Sequence, residues 1–250
     1  MPIHPPQRLD QLLLSLGLFP SRSRARDAIA RGTVKVNGQV VNKPGQTFHD
    51  DVVIEIDDPA QDYVSRAALK LAAALDHFGL DPAGHTCLDV GASTGGFTQV
   101  LLQRGASHVT AIDVGHGQLH PSLAADPRVT NIEGLNARSL TAGDLAGRRI
   151  DFVVSDVSFI SLKLALPPAL NLAERGAICV LLVKPQFEAG RDAIGKGGLL
   201  KQPGSGRSIA ASLAEWLTDE MGWRSLGLMP SPIPGGDGNQ EFLLAGTKTI

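Results

Sequence analysis

The chain has 250 residues, 43% of them hydrophobic and 19% charged, with a formal net charge of −2. That length suffices for one or two domains with a buried core, and the composition is that of a globular protein. The near-neutral total excludes a chain that is basic throughout, so any nucleic-acid contact must come from a local patch. No apolar run reaches the roughly 18 residues that a membrane-spanning helix needs. Cys87 and Cys179 both lie in apolar runs, TCLDV and AICVLLV, and are read as buried packing thiols. Neither a metal framework nor a secreted disulfide scaffold is expected of them, which points to a reducing, cytoplasmic compartment.

The opening stretch, MPIHPPQRLDQLLLSLGLF, is apolar but interrupted by charges and a glycine, with no small-residue cleavage site after it. It reads as an amphipathic helix rather than a signal peptide. Leu9, Leu12, Leu13 and Leu16 recur at helical spacing, and Gly17 stops the helix. Ser21 caps a second helix, SRSRARDAIARG, with Ala25, Ala28 and Ile29 inward, arginines outward and Gly32 closing it. TVKVNG and QVV then form a hairpin through Asn37-Gly38, followed by strand DVVIEI. Residues 1–45 carry seven basic side chains against Asp10 and Asp27. Arg8, Arg22, Arg24, Arg26, Arg31 and Lys35 are the candidate RNA-backbone contacts, because guanidinium groups pair with phosphates and a helix presents them in a fixed array. The order of elements favours this over a merely solvated charged face. The stretch resembles the S-four-type RNA-binding domain over nearly its whole length: the leucine helix, SRSRARDAIARG, the VKVNG hairpin and NKPG.

The polar segment DDPAQDY (57–63) marks the join, giving an RNA-binding domain at 1–57, a linker at 58–63 and a second domain at 64–250. Beyond it the pattern alternates. A helix over 65–79 precedes strand HTCLDVG, a helix over 96–104, and strands HVTAIDV, RVTNIEG and IDFVVSDV. A helix over 161–173, strand AICVLLVK, a helix over 207–221, and strands WRSLGLM and QEFLLAG complete it. Short buried strands alternating with helices predict an α/β domain with a mostly parallel sheet, closed by an antiparallel strand after a Pro/Gly-rich loop.

LDVGASTGGFTQVLLQRG is a strand, a glycine-rich turn and a helix. Gly91 permits the sharp turn, and Gly95 and Gly96 clear space for a ligand or for the helix N-terminus. Asp113 ends the next strand, where an acidic residue can accept hydrogen bonds from ribose hydroxyls. The loop lacks the middle glycine that brings backbone to a pyrophosphate, so a nucleoside cofactor without phosphates fits better than a dinucleotide. S-adenosylmethionine is the common one. The expected contacts are Asp89 (toward the methionine ammonium), Gly91, Ser93, Gly95, Gly96, Phe97, Asp113, Asn136 and Asp156.

Lys70 lies on the helix before the first core strand, Asp156 ends VVSDVSF, Lys184 ends VLLVKP, and Glu241 opens QEFLLAG. Ligands collect at the carboxyl ends of strands in open α/β sheets, which places Asp156 and Lys184 on the functional edge. Together the four match the Lys-Asp-Lys-Glu tetrad of FtsJ-like ribose 2′-O-methyltransferases. A ribose hydroxyl is barely ionised near neutral pH. A lysine depressed by burial and a neighbouring cation can serve as its base or orient its lone pair. The expectation is that Lys184 does this, that Lys70 is the cationic neighbour, and that the carboxylates fix both ammonium groups, with no metal. SDVSF, in place of an Asn/Asp-Pro-Pro-aromatic strand end, argues against a base amino group as target, and neither cysteine sits in a loop as carbon-5 methylation would need.

With the two modules in this order, the chain resembles the TlyA (hemolysin-A-like) family across most of residues 8–246. YVSRAALKL, LDVGASTGGFT, AIDVGHGQL, VVSDVSFISL, LVKPQFEAGR and NQEFLLAG carry the likeness. It implies a Rossmann-like methyltransferase domain with a seven-stranded sheet, last strand antiparallel, and cytidine 2′-O-methylation of ribosomal RNA or ribosomal subunits. No membrane partner is expected, and a monomer is favoured. Three departures stand out. His116 replaces a tyrosine, Gly134 replaces an arginine, and the 195–207 loop diverges, read either as a mobile, weakly basic lid with Lys196, Lys201 and Arg207 or as a disordered segment. Phe159 and Phe187 either stack a flipped base or pack in the core. A metal at His116 and His120 is rejected for want of a third ligand. The competing functions are a non-catalytic RNA-binding or ribosome-assembly factor and a membrane-active hemolysin, disfavoured by the intact tetrad and by the want of a spanning stretch.

Overall fold

The computed structural model describes residues 5–202 and 204–250. Met1 to His4, the start of the stretch read as amphipathic, and Pro203, in the divergent loop, lie outside the described residues. The chain divides into two compact units between Gln61 and Asp62.

In the first unit, β1 (Gln7–Arg8) leads into α1 (Leu9–Ser15), which buries Leu9, Leu12 and Leu13 completely. Each such leucine contributes about 1.5–3 kcal/mol on leaving water. Leu16, expected on the same face, is 48% exposed because the helix has already ended at Ser15. In α2 (Arg22–Ala30), the Ser21 side chain accepts a hydrogen bond from the Arg24 N–H, and Ala25, Ala28 and Ile29 are buried. β2 (Val34–Val36) and β3 (Gln39–Val40) form the expected hairpin, its turn residues Asn37 and Gly38 both left-handed at φ 51° and 77°. β4 (Thr47–Phe48) pairs with β1, and β5 (Ile54–Ile56) pairs with the other edge of β2.

The second unit opens with α3 (Ala68–Phe78), followed by β6 (Thr86–Val90), α4 (Gly96–Gln103), β7 (His108–Asp113), α5 (Pro121–Ala124) and β8 (Val129–Glu133). Next come β9 (Ile150–Ser155), α6 (Leu162–Ala165), α7 (Pro167–Leu172), β10 (Ala173–Val183) and α8 (Pro185–Glu188). α9 (Ser205–Asp219), β11 (Trp223–Pro230) and β12 (Phe242–Lys248) finish the chain. The single helix expected over 161–173 is broken in two. Pro167 has no N–H to bond back four residues, and its ring clashes with the preceding turn, so α6 ends and α7 starts afresh with proline in its first turn.

The seven strands lie in the order β11-β12-β10-β9-β6-β7-β8. β12, the last in sequence, runs antiparallel to both neighbours, while β10-β9-β6-β7-β8 is parallel throughout. This bears out the expected sheet. Apolar side chains cover both faces, Leu88, Val153 and Leu181 on one and Cys87, Phe152 and Val180 on the other. Both cysteines are therefore buried thiols, and burial pushes their pKa values up. The chain leaves β6 for β7 on one side and reaches β9 on the other, so the carboxyl ends of β6 and β9 border the crevice where the winding reverses.

Candidate active site

Val90 pairs with Ser155, so the first residues beyond β6 and β9, Gly91 and Asp156, emerge side by side. Asp156 donates its N–H to Val90 O at 3.1 Å. Gly91 has φ +83°, and a Cβ there would stand 3.0 Å from the Asp156 carbonyl oxygen, so glycine is required on both counts. At the end of β7, Asp113 accepts the Ser93 N–H on Oδ2 (2.8 Å) and the Gly115 N–H on Oδ1 (2.7 Å), tying together the loops after β6 and β7.

Between these loops lies a cavity of about 460 Å³ whose walls include Gly91, Ser93, Asp113, Asn136 and Asp156, with Ile112 and Leu135 as apolar surface. Asn136 Oδ1 accepts the Arg138 N–H, which leaves its two amide N–H groups for a ligand. Gly96 and Phe97 line a narrower space of about 80 Å³ that shares Gly91, Ser93 and Asp156. Two of the expected cofactor contacts line neither space. Gly95, at φ +97°, turns toward Leu119 and Leu123. Asp89 is wholly buried, with Oδ2 accepting the Thr98 hydroxyl at 2.7 Å and Oδ1 without a hydrogen-bond partner. Burial foremost, with Asp156 and Asp113 nearby, pushes its pKa up to about 7.

The loop after β7 is gathered by Glu133, which accepts N–H groups from Gly117 and Gln118; these bonds draw its pKa down to about 2. The two departures noted at His116 and Gly134 meet here. A Cβ on Gly134 would stand 2.7 Å from His116 Nε2, so the ring occupies the space over that glycine.

The tetrad comes together as two ion pairs. Lys70 Nζ lies 2.5 Å from Glu241 Oε2, the two residues 5% and 2% exposed. Lys184 Nζ lies 2.6 Å from Asp156 Oδ1. That oxygen is not aligned for a hydrogen bond; the ammonium donates instead to Ser158 Oγ at 2.6 Å. Val183 pairs with Phe242, so one step further the same register sets Lys184 level with Glu241 and brings the two pairs to one sheet edge.

Ser158 escaped the sequence reading, as did Asn239. The latter is 5% exposed, donates to Asp237 and Gly198 O, and accepts the Leu200 N–H. Asn239 thereby ties Gly198 and Leu200, within the stretch read as a mobile lid or a disordered segment, and short 3₁₀ turns at Arg191–Ala193 and Lys196–Gly198 and an Ile194–Leu200 bridge shape the residues around them. No local pattern signals a contact across forty residues of chain. Phe159 is 89% exposed at φ +65°, which overturns core packing for it, and its ring lies 5.2 Å from that of Phe187.

In the first unit, buried Asp10 accepts hydrogen bonds from Arg8 and Arg22 and lies 4.0 Å from Arg26, so three guanidinium groups converge on one carboxylate. Burial alone would raise the Asp10 pKa, but the hydrogen bonds from Arg8 and Arg22 outweigh it and hold the group below its ordinary value. Arg24 donates to Ala60 O, and Lys35 is exposed on β2 opposite Glu55. Arg31 is clamped between Asp27 and a bidentate Asp58 with its side chain 12% exposed, three of its five N–H groups bonding within the unit. The same contacts hold residues 58–60, the start of the segment read as a linker, against the rest of the first unit.

The FtsJ-like methyltransferase family model matches residues 63–248, and the S4 domain model matches residues 7–54. The chain is 46% identical to a 16S/23S rRNA (cytidine-2′-O)-methyltransferase TlyA of Mycobacterium tuberculosis over 95% of this chain and 88% of that protein. This chain belongs to the TlyA family of FtsJ-like methyltransferases. Another member, 39% identical over 94% of this chain and 98% of its own length, is named Hemolysin A in Brachyspira hyodysenteriae. A solved structure from Streptococcus thermophilus, assigned as a hemolysin, superposes with a TM-score of 0.76 at 40% identity, covering 98% of this chain and 89% of that one. The family's methyltransferase domain is thus the second unit, and its S4 domain lies within the first. Among the described residues no helix is long and apolar enough to cross a membrane.

Proposed function

We propose that this TlyA-family methyltransferase transfers a methyl group from S-adenosylmethionine to a ribose 2′-hydroxyl, in the cytoplasm, with cytidine in ribosomal RNA or ribosomal subunits as the target. The observation that carries this reading is the pairing of two buried lysines with two carboxylates at one sheet edge, one of which, Asp156, also lines the 460 Å³ cavity.

The cavity's donor set fits such a cofactor. Asp113 retains a second acceptor site on each oxygen for ribose hydroxyls, Asn136 offers amide donors, and Ile112 and Leu135 give flat apolar walls for a purine. When bound, S-adenosylmethionine supplies an electrophilic methyl group. The chain's own residues prepare the nucleophile. As a neutral amine Lys184 can receive the hydroxyl proton, and as the ammonium that Asp156 holds by charge it can orient the hydroxyl oxygen. Lys70, fixed by Glu241, adds positive charge that favours the developing alkoxide. No metal is required, and positioning supplies much of the rate. Phe159, held out of the core beside Phe187, offers a face on which a nucleobase can stack. Arg8, Arg22, Arg24, Arg26 and Lys35 supply the phosphate contacts, and the chain acts as a monomer.

The test is transfer of labelled methyl from S-adenosylmethionine to isolated ribosomal subunits, comparing the native chain with Lys184→Ala. Label on a ribose 2′-oxygen that is lost in the variant is the expected result. Transfer that survives in Lys184→Ala would overturn its role. No transfer to subunits, particles or naked RNA would overturn the substrate.

A further inference from the structure

Lys184 is 9% exposed, yet its hydrogen bond is made to the hydroxyl of an exposed serine on the cavity wall. Its other partner, Asp156 Oδ1, is equally near at 2.6 Å but is not aligned for a hydrogen bond. The two acceptors therefore do different things. A charge pair depends mainly on distance and leaves the ammonium free to rotate, whereas a hydrogen bond fixes a direction.

We propose that Ser158 is the positioning residue for Lys184, its hydroxyl holding the amine toward the cavity while Asp156 supplies only charge. This rests on Lys184 acting on the substrate hydroxyl, as proposed above. A tetrahedral nitrogen with one N–H committed to Ser158 Oγ can present its remaining directions only within a cone about that bond. Without the serine hydroxyl, the ammonium turns to align with Asp156, and the lone pair or N–H that meets the substrate turns with it. Ser158 is two residues beyond Asp156 on the loop after β9, so one short segment delivers both the charge and the direction. Being exposed, it can be changed with little effect on the fold.

The experiment compares Ser158→Ala, Ser158→Thr and Lys184→Ala in steady-state methylation of ribosomal subunits, with cofactor affinity measured separately by calorimetry and folding by thermal denaturation. Ser158→Ala is expected to lower kcat by about 10-fold or more, leaving KM for the subunit and the cofactor Kd within about twofold. Ser158→Thr, which keeps the hydroxyl, restores kcat to within about threefold. An unchanged kcat in Ser158→Ala with Lys184→Ala inactive overturns the positioning role alone. So does a loss confined to KM or to cofactor Kd, or a Thr variant as slow as the Ala variant. If Lys184→Ala is itself fully active, the underlying assignment of the lysine fails, and this inference with it.

Discussion

Gly91 lies so close against Asp156 that a single added methyl group would stand 3.0 Å from the Asp156 carbonyl oxygen. The two residues leave neighbouring strands at the point where the winding of the sheet reverses, and both line the cavity. Gly91→Ala combines a strained left-handed backbone with a steric clash. It is expected to lower stability by about 2–4 kcal/mol and to abolish cofactor binding. Urea denaturation and calorimetry check both, and an Ala variant that binds normally would show that the turn is not what shapes the site.

Lys70 and Glu241 form an almost fully buried pair. Removing one partner leaves the other charged and unsolvated, so Lys70→Met alone should cost roughly 3–5 kcal/mol. Adding Glu241→Gln should restore much of it, since the uncompensated carboxylate is gone. A double-variant cycle by chemical denaturation measures the coupling, and equal stability of the single and double variants would deny it.

Asp89 carries a pKa raised to about 7 from an ordinary 3.8, chiefly by burial. Between those values the folded chain binds more protons than the unfolded chain, so stability contributed by Asp89 is full below about pH 4 and declines as pH rises toward 7. Asp89→Asn keeps an acceptor for the Thr98 hydroxyl and removes the titration. Its melting temperature at pH 8 should exceed that of the native chain, with the gap closing toward pH 4. A constant gap across that range would contradict the assignment.

Asp10 shows the opposite sign. Its folded pKa lies below its ordinary value, so its contribution is present above the unfolded pKa of about 4 and is lost as pH falls through the lower folded value. Asp10→Asn should blunt acid unfolding of the first unit, followed by fluorescence from a probe placed there. An acid transition identical to that of the native chain would argue against it.

Arginines of the first unit should separate by role. Arg22, Arg24 and Arg26 changed together to alanine should weaken RNA binding and reduce its salt slope by roughly 0.7–0.9 for each phosphate that is no longer neutralised, with cofactor affinity unchanged. Arg31→Ala should instead destabilise the unit by about 3 kcal/mol, because buried Asp58 loses its bidentate partner. Filter binding across a salt series and thermal melts distinguish the two. An Arg31 variant that is stable but defective in RNA binding would make Arg31 a phosphate contact rather than a clamp.

Much of this protein was legible in its residues. Leu9, Leu12 and Leu13 at helical spacing, Ser21 as a cap, and Asn37-Gly38 as a turn are local signals with local physical causes, and each appears where expected. The alternation of apolar runs gave the parallel sheet, because a strand buried on both faces must be apolar throughout. Asp156 and Lys184 stood out at strand ends, where ligands collect in open α/β sheets, and with Lys70 and Glu241 they match the tetrad of FtsJ-like methyltransferases. Tertiary structure alone decided which partner each one takes. It paired Lys70 with Glu241 and gave Lys184 a hydroxyl as well as a carboxylate. It also clamped Arg31 between Asp27 and Asp58 and buried Asp89 against the Thr98 hydroxyl. Ion pairs and hydrogen bonds join side chains far apart in sequence, at distances set by strand register and loop path. No local periodicity encodes those distances, so composition and spacing name the participants while the folded sheet makes the pairs.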